Sequence, residues 1–245
     1  MERHFGLNDR PLPEPTVARL PIYLRIAEDA VRNGATTISS DELARLAGVN
    51  AAKVRKDLSL LGSLGTRGTG YDAAQLAGVI DGILGAEFDW PVVIAGVGKL
   101  GRALINARGF LTGGYHLVGL VDVDSSVIGE QIGEHVVLSF DELSASLTAP
   151  PKIGVITTPD RAAQAAAESL IALGAHSLLN FAPKVLDVPE GVRVRYVDLS
   201  IELQILSYHA AREATSEPAG LLSTVGVEAD QLGLTPWAEA SGVSP

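Results

Sequence analysis

The stretch Val92, Val93, Ile94, Ala95, Gly96, Val97, Gly98, Lys99, Leu100, Gly101, Arg102 constrains the fold of this 245-residue chain more than any other. Four apolar residues make a buried strand that runs directly into Gly96, Gly98 and Gly101 at G-x-G-x-x-G spacing. In such a strand-turn-helix unit the first glycine allows the tight turn and the second lets backbone approach a pyrophosphate. The third lets the helix pack on the strand, with its amides facing the anion. Gly96, Val97, Gly98, Lys99, Leu100 and Gly101 are therefore the expected phosphate-binding residues. A second apolar strand, 117–121, ends in Asp122. That is about twenty residues past the last glycine, where a carboxylate accepts the ribose hydroxyls of NAD and repels the 2′-phosphate of NADP. Thr158 and Pro159, at the end of the strand over 152–156, complete the expected set for NAD and NADH.

From residue 91 onward strands and helices alternate, as a doubly wound parallel sheet requires. Strands are expected at 136–138, 152–156, 177–180 and 192–197, with helices at 141–147 and 161–173. This gives an α/β class with a Rossmann-type domain over 91–197. The helix from 199 to about 212 carries Leu199, Leu203, Ile205, Leu206 and Tyr208, more apolar residues than one buried face uses. Either a dimer contact or packing on its own sheet takes the surplus. Residues 213–245, rich in Gly, Ser, Pro and acids, read as a disordered tail, and 1–15, with Pro11, Pro13 and Pro15, as a flexible lead-in.

Residues 16–85 differ in charge. The chain carries a net charge of -10, yet residues 1–80 hold ten Lys/Arg against nine Asp/Glu, and 81–245 hold nine against twenty. Thr16 is expected to cap a first helix with Pro21 in its early turns, and Ser39 with Glu42 to form a capping box on a second. A turn at Gly48 leads to Asn50, the expected cap of a third helix over 51–61. These are helix-turn-helix proportions. Val54, Leu58 and Leu61 form the inward stripe of the third helix, leaving Ala52, Arg55, Lys56 and Ser59 opposite. A glycine-rich hairpin over 64–71 follows, with Arg67 at its tip. Lys53, Arg55, Lys56 and Ser59 are the candidates for the major groove of double-stranded DNA, and Arg67 for the minor groove.

The chain has no cysteine, which excludes disulfides, iron-sulfur clusters and thiol switches. No apolar run approaches membrane-spanning length and the N-terminus lacks a signal-type apolar block, so no membrane partner and a cytoplasmic location are expected. The five histidines are scattered without metal-ligand spacing, so no metal is expected. Lys184 and Asp198, at ligand-side strand ends, are the best acid/base candidates, but each is more simply structural or ribose-facing. No catalytic set is assigned, since the dinucleotide fold and the basic helical module leave no room for a substrate domain. An NAD-dependent oxidoreductase with an N-terminal interaction module is the alternative.

In their joint order, several motifs resemble the Rex family of redox-sensing transcriptional repressors. They are residues 16–21 (TVARLP), Ile38-Ser39-Ser40 with Glu42-Leu43-Ala44, Arg55-Lys56-Asp57-Leu58-Ser59, the glycine-rich hairpin and Gly96 to Gly101. Asn180-Phe181-Ala182-Pro183, Val197-Asp198-Leu199-Ser200 and Leu206-Ser207-Tyr208 complete the series, so the resemblance covers about residues 12–210. It implies a winged-helix DNA-binding domain over 16–85, the Rossmann domain, and a C-terminal helix over 198–212 exchanged between the subunits of a homodimer. It further implies binding to palindromic operators upstream of respiratory and fermentative genes, release by NADH, and competition by NAD+. An interdomain link through Arg19 and Asp198 is also implied. Two positions depart from the family pattern: Lys99 stands where many members have asparagine, and Ala107 where many have a tyrosine close to the nicotinamide. The second raises the alternative of a member with a weakened NADH response.

Overall fold

The computed structural model describes residues 11–66, 68–107, 110–111 and 113–216. Its N-terminal part comprises α1 (Glu14–Val17), α2 (Leu20–Arg32), β1 (Thr37–Ile38), α3 (Ser40–Ala47), α4 (Ala51–Ser59), β2 (Gly65–Thr66), β3 (Gly70–Asp72) and α5 (Ala73–Leu84). Leu20, Tyr23, Ile26 and Ala27 recur at helical spacing on α2 and are buried with Leu43, Val54, Leu58, Leu61, Leu76 and Ile80. Each large side chain withdrawn from water contributes about 1.5–3 kcal/mol. β1, β3 and β2 form a small antiparallel sheet in that order, the wing beside the helix-turn-helix.

Two local details differ from the expected capping. Thr16 lies inside α1 rather than ahead of a helix, and its hydroxyl donates to Asp57. The long helix starts instead at Leu20, with Pro21 in its first turn, where the missing N–H has no helical partner to lose. Ser39 accepts from the Glu42 N–H at 3.1 Å, but the full reciprocal box forms elsewhere, between Ser139 and Glu142.

The second part contains β4 (Trp90–Ala95), α6 (Lys99–Asn106), β5 (Tyr115–Val121), β6 (Gln131–Ile132), β7 (His135–Leu138), α7 (Phe140–Ser146), β8 (Ile153–Ile156), α8 (Asp160–Ala172), β9 (Ser177–Asn180) and β10 (Arg193–Tyr196). The sheet order is β10-β9-β8-β4-β5-β7-β6, parallel except for the β6–β7 hairpin. Pro91, expected to precede the first strand, lies within β4 as its second residue, ahead of the first β8-paired position, Val92, and beside the register irregularity at Val92/Val93, where proline is tolerated. Alanine-rich α8 packs Ala163, Ala166, Ala167 and Leu170 closely on the sheet with Val93, Ala95 and Ile156. The chain leaves β4 toward β5 and β7, then returns to β8 on its other side. The order therefore reverses between β4 and β8, and ligands bind at the carboxyl ends of strands beside such a switch point.

A separate compact unit begins at Val197 and holds α9 (Leu199–Ser216). Leu199, Ile201, Leu203, Ile205, Leu206 and Tyr208 are all exposed on it. The expected lead-in and tail fall mostly outside the described residues.

Candidate dinucleotide site and DNA-facing surface

At the switch point the three glycines answer different physical demands. Gly96 has φ +98°, and a Cβ there would lie 2.7 Å from the Thr158 backbone nitrogen. A Cβ on Gly101 would lie 2.1 Å from the Gly96 carbonyl oxygen, so the helix can seat on its strand only with glycine at that position. Gly98 is the exception, with an ordinary φ of -76° and nothing within 4 Å of an added Cβ. The protein's own packing does not require glycine at 98, and the open space there leaves room for a ligand to approach the backbone.

Gly98 is the N-cap of α6, which has no side-chain cap. Its first-turn amides, at Lys99, Leu100 and Gly101, are the donors that a helix start leaves without intrahelical partners, and the positive end of the helix dipole lies with them. Lys99 and Leu100 are exposed. Across the crevice, the Thr157 hydroxyl donates to the Gly96 carbonyl at 2.6 Å, fixing the turn. The neighbouring Thr158 hydroxyl is buried without a hydrogen-bond partner, although burying such a group unpaired is costly. An orphaned hydroxyl, a glycine kept clear for no internal reason and an uncapped helix start together fit a pyrophosphate-bearing cofactor. Pro159 is exposed beside them.

Asp122 has a second occupation that its spacing did not reveal. Its Oδ2 accepts the Val97 N–H at 2.7 Å, and its Oδ1 accepts the N–H groups of Val123 at 2.7 Å and Asp124 at 3.0 Å. The carboxylate thus holds the glycine turn to the end of β5 while remaining partly exposed beside it. Val97 shapes the turn: its side chain is buried and its N–H is spent on Asp122. Asn180, which the sequence offers only as part of a strand and a motif, is fully buried. Its amide donates to the carbonyls of Ala182 and Lys184 and its Oδ1 accepts the Ala182 N–H, which folds the loop after β9. A cleft of about 920 Å³ lies away from the glycine turn, walled by residues that include Val17, Ala18, Pro21, Val92 and Ile153. Its volume does not make it the dinucleotide site, because no residue of the turn lines it.

On α4, Val54, Asp57 and Leu58 face inward while Lys53, Arg55, Lys56 and Ser59 are exposed. Asn50 caps the helix, accepting the Lys53 N–H at 2.8 Å. The Arg55 guanidinium donates to Ser40 Oγ at 3.0 Å, which ties α4 to the start of α3, and the Ser59 hydroxyl donates to the Lys56 carbonyl. Ser40, Arg55, Thr66 and Thr69 line a groove of about 440 Å³ between α3, α4 and the wing. Arg67 lies outside the described residues.

Sequence reasoning missed what holds α4 in place. Asp57, only 2% exposed, accepts from both arms of Arg19 at 2.6 and 2.7 Å, from the Tyr23 hydroxyl at 3.0 Å and from the Thr16 hydroxyl at 3.0 Å. Burial alone would raise its carboxyl pKa, but the donors from Arg19, Tyr23 and Thr16 prevail and hold it below the usual carboxylate range. Burial and the Asp57 hydrogen bond push the Tyr23 phenol up to about 12. Arg19, assigned by resemblance to a link with Asp198, has its fork on Asp57. Asp198, within the C-terminal unit, accepts from the Ser200 N–H and hydroxyl. Ala107 is exposed at the end of α6.

A helix-turn-helix with a wing and a basic exposed face, joined to a switch-point dinucleotide site, defines a transcription factor of the nucleotide-responsive class. Residues 11–59 match the family model "Putative DNA-binding protein N-terminus", and residues 87–184 match "CoA binding domain". The chain is 51% identical over 211 residues to the redox-sensing transcriptional repressor Rex of Streptomyces coelicolor, covering 86% of this chain and 82% of that one. It is 42% identical over 203 residues to Rex of Carboxydothermus hydrogenoformans, covering 82% of this chain and 98% of that one. A crystal structure of RSP in complex with β-NAD+ and operator DNA superposes with TM-score 0.74 at 31% identity, over 84% of this chain and 95% of that one. RSP in complex with β-NADH gives the same score at 30% identity, over 84% and 97%. The chain belongs to the Rex family of redox-sensing transcriptional repressors.

Proposed function

We infer that this chain is a redox-sensing repressor that grips palindromic operator DNA as a homodimer in the cytoplasm and releases it when NADH fills the crevice at Gly96 to Gly101. The observation that carries this reading is the glycine turn at the switch point in a chain whose other module exposes a basic helix. Relatives named as repressors belong to a regulatory, non-enzymatic class, which sets the oxidoreductase alternative aside. Gly98, Lys99, Leu100 and Gly101 offer amides to the pyrophosphate, Gly96 and Val97 shape the turn, and Thr158 and Pro159 close the far wall. Asp122 accepts ribose hydroxyls with the acceptor capacity its three backbone donors leave. When bound, the dinucleotide supplies a nicotinamide whose redox state distinguishes the two ligands.

Lys53, Arg55, Lys56 and Ser59 meet the major groove, and Arg67 reaches the minor groove. A second copy covers the apolar surface of α9, and Arg19 with Asp198 forms part of the link between cofactor and DNA-reading modules. Among the described residues no helix is long and apolar enough to cross a membrane, and no group of three or more His, Cys, Asp or Glu is placed to hold a metal.

The DNA-binding half is tested with a fluorescently labelled duplex recovered from random-sequence DNA by selection on the chain itself. Saturable binding that weakens steeply with salt is expected; a selection that enriches no sequence, or binding indifferent to salt, would overturn the reading. Arg55→Ala should weaken affinity and reduce the slope of log K against log salt by about 1. An unaltered slope would remove Arg55 from the phosphate contacts.

A further inference from the structure

Close enough to Asp122 for the two charges to interact, the Arg102 guanidinium donates through both arms to Glu130, at 2.5 and 2.6 Å. The two side chains are 35% and 43% exposed. An ion pair this exposed does little for stability, so stability does not account for a two-point bond held firmly on both sides. Arg102 follows Gly101 in the first turn of α6. Glu130 closes the segment that leaves Asp122, and its backbone is pinned twice: its N–H donates to the Val127 carbonyl at 3.1 Å and its carbonyl accepts the Val137 N–H at 2.9 Å. The intervening turns are fixed as well, with Asp124 accepting from Ser126 and from the backbone N–H groups of Val127 and Ile128. The bridge therefore spans from the helix start to the loop beyond the ribose-facing acid. Glu130 and, less strongly, Asp122 hold the guanidinium firmly in its charged form.

Guanidinium is the group best shaped to take a phosphate bidentately, and here one stands at the ribose edge with its fork already spent. We propose that Glu130 is a specificity-determining residue: by clasping Arg102 it denies a counter-charge to the 2′-phosphate of NADP and so reserves the site for NAD and NADH. This deepens the function proposed above and rests on it. Two acids then guard the ribose edge. Asp122 accepts the free hydroxyls, and Glu130 withholds the cation that would otherwise offset a phosphate in their place.

The test is a fluorescence titration of NADH and NADPH into the full chain, into Glu130→Gln and into the double variant Arg102→Gln/Glu130→Gln. Glu130→Gln is expected to raise the affinity for NADPH relative to NADH about tenfold, the worth of one charge-assisted hydrogen bond. The double variant is expected to return to the ratio of the unmodified chain, which a merely structural role for the bridge would not produce. A ratio unmoved by Glu130→Gln, or a gain that survives loss of Arg102, would overturn the clasp while leaving the dinucleotide reading intact. Failure of NADH to bind the unmodified chain would overturn both.

Discussion

Replacing Asp57 by alanine is expected to destabilise the chain by about 3 kcal/mol, the lower end for breaking a buried ion pair, because Arg19 keeps 17% of its side chain in water. For a chain of this size that lowers Tm by roughly 6–12 °C. The cost is high because the truncation strands donors on three side chains at once: the Arg19 fork and the hydroxyls of Thr16 and Tyr23 all lose their acceptor. Urea unfolding followed by circular dichroism measures it, and a loss below about 1 kcal/mol would show that these bonds do not anchor α4. The same network sets a pH dependence. Asp57 titrates lower in the fold than its ordinary 3.8, so its contribution is complete above that value and is lost as pH falls through the depressed one. Tyr23 is shifted the other way, from 10.0 to about 12, so its contribution is complete below pH 10 and is lost as pH rises toward 12. Tyr23→Phe should remove the alkaline loss and leave the acid one.

Gly98→Ala is expected to melt like the unmodified chain yet bind NADH roughly a hundredfold more weakly, as if two hydrogen bonds to a charged group were lost. The reason is the open space around position 98, where a methyl group meets nothing in the protein and intrudes only on a ligand. Gly101→Ala provides the contrast, because its Cβ would lie 2.1 Å from the Gly96 carbonyl and α6 must shift. That variant should lose stability and NADH binding together. If Gly98→Ala bound NADH as well as the unmodified chain, the pyrophosphate would have to lie elsewhere.

The parts that were legible before the structure were those written in local pattern. The glycine spacing, the apolar strand runs and the Val54-Leu58-Leu61 stripe each repeat over a few residues, and backbone geometry turns such periods into turns, strands and buried faces. What escaped was held by distance in sequence. Asp57 stands in the sequence only as one residue of a helical motif, but its donors lie 34 to 41 positions earlier, and nothing local announces that they converge. The Arg102–Glu130 bridge spans 28 positions in the same way. The spacing of Asp122 puts it at a strand end beyond the glycines; its duty toward Val97 emerged only once β4 and β5 lay side by side. The β6–β7 hairpin was missed in part, because a two-residue strand offers too short a pattern to separate from the loop around it.

Occupancy of the crevice at Gly96 to Gly101 is expected to decide how firmly α4 holds DNA. Such a switch requires NADH to favour the released arrangement by about 3 kcal/mol for a hundredfold change. The direct measurement is fluorescence anisotropy of the selected duplex bound to the full chain, titrated with NADH and, separately, with NAD+. Anisotropy is expected to fall to that of free DNA at NADH concentrations far below those at which NAD+ has any effect. Anisotropy unchanged by NADH, with NADH binding to the chain confirmed in parallel, would contradict it.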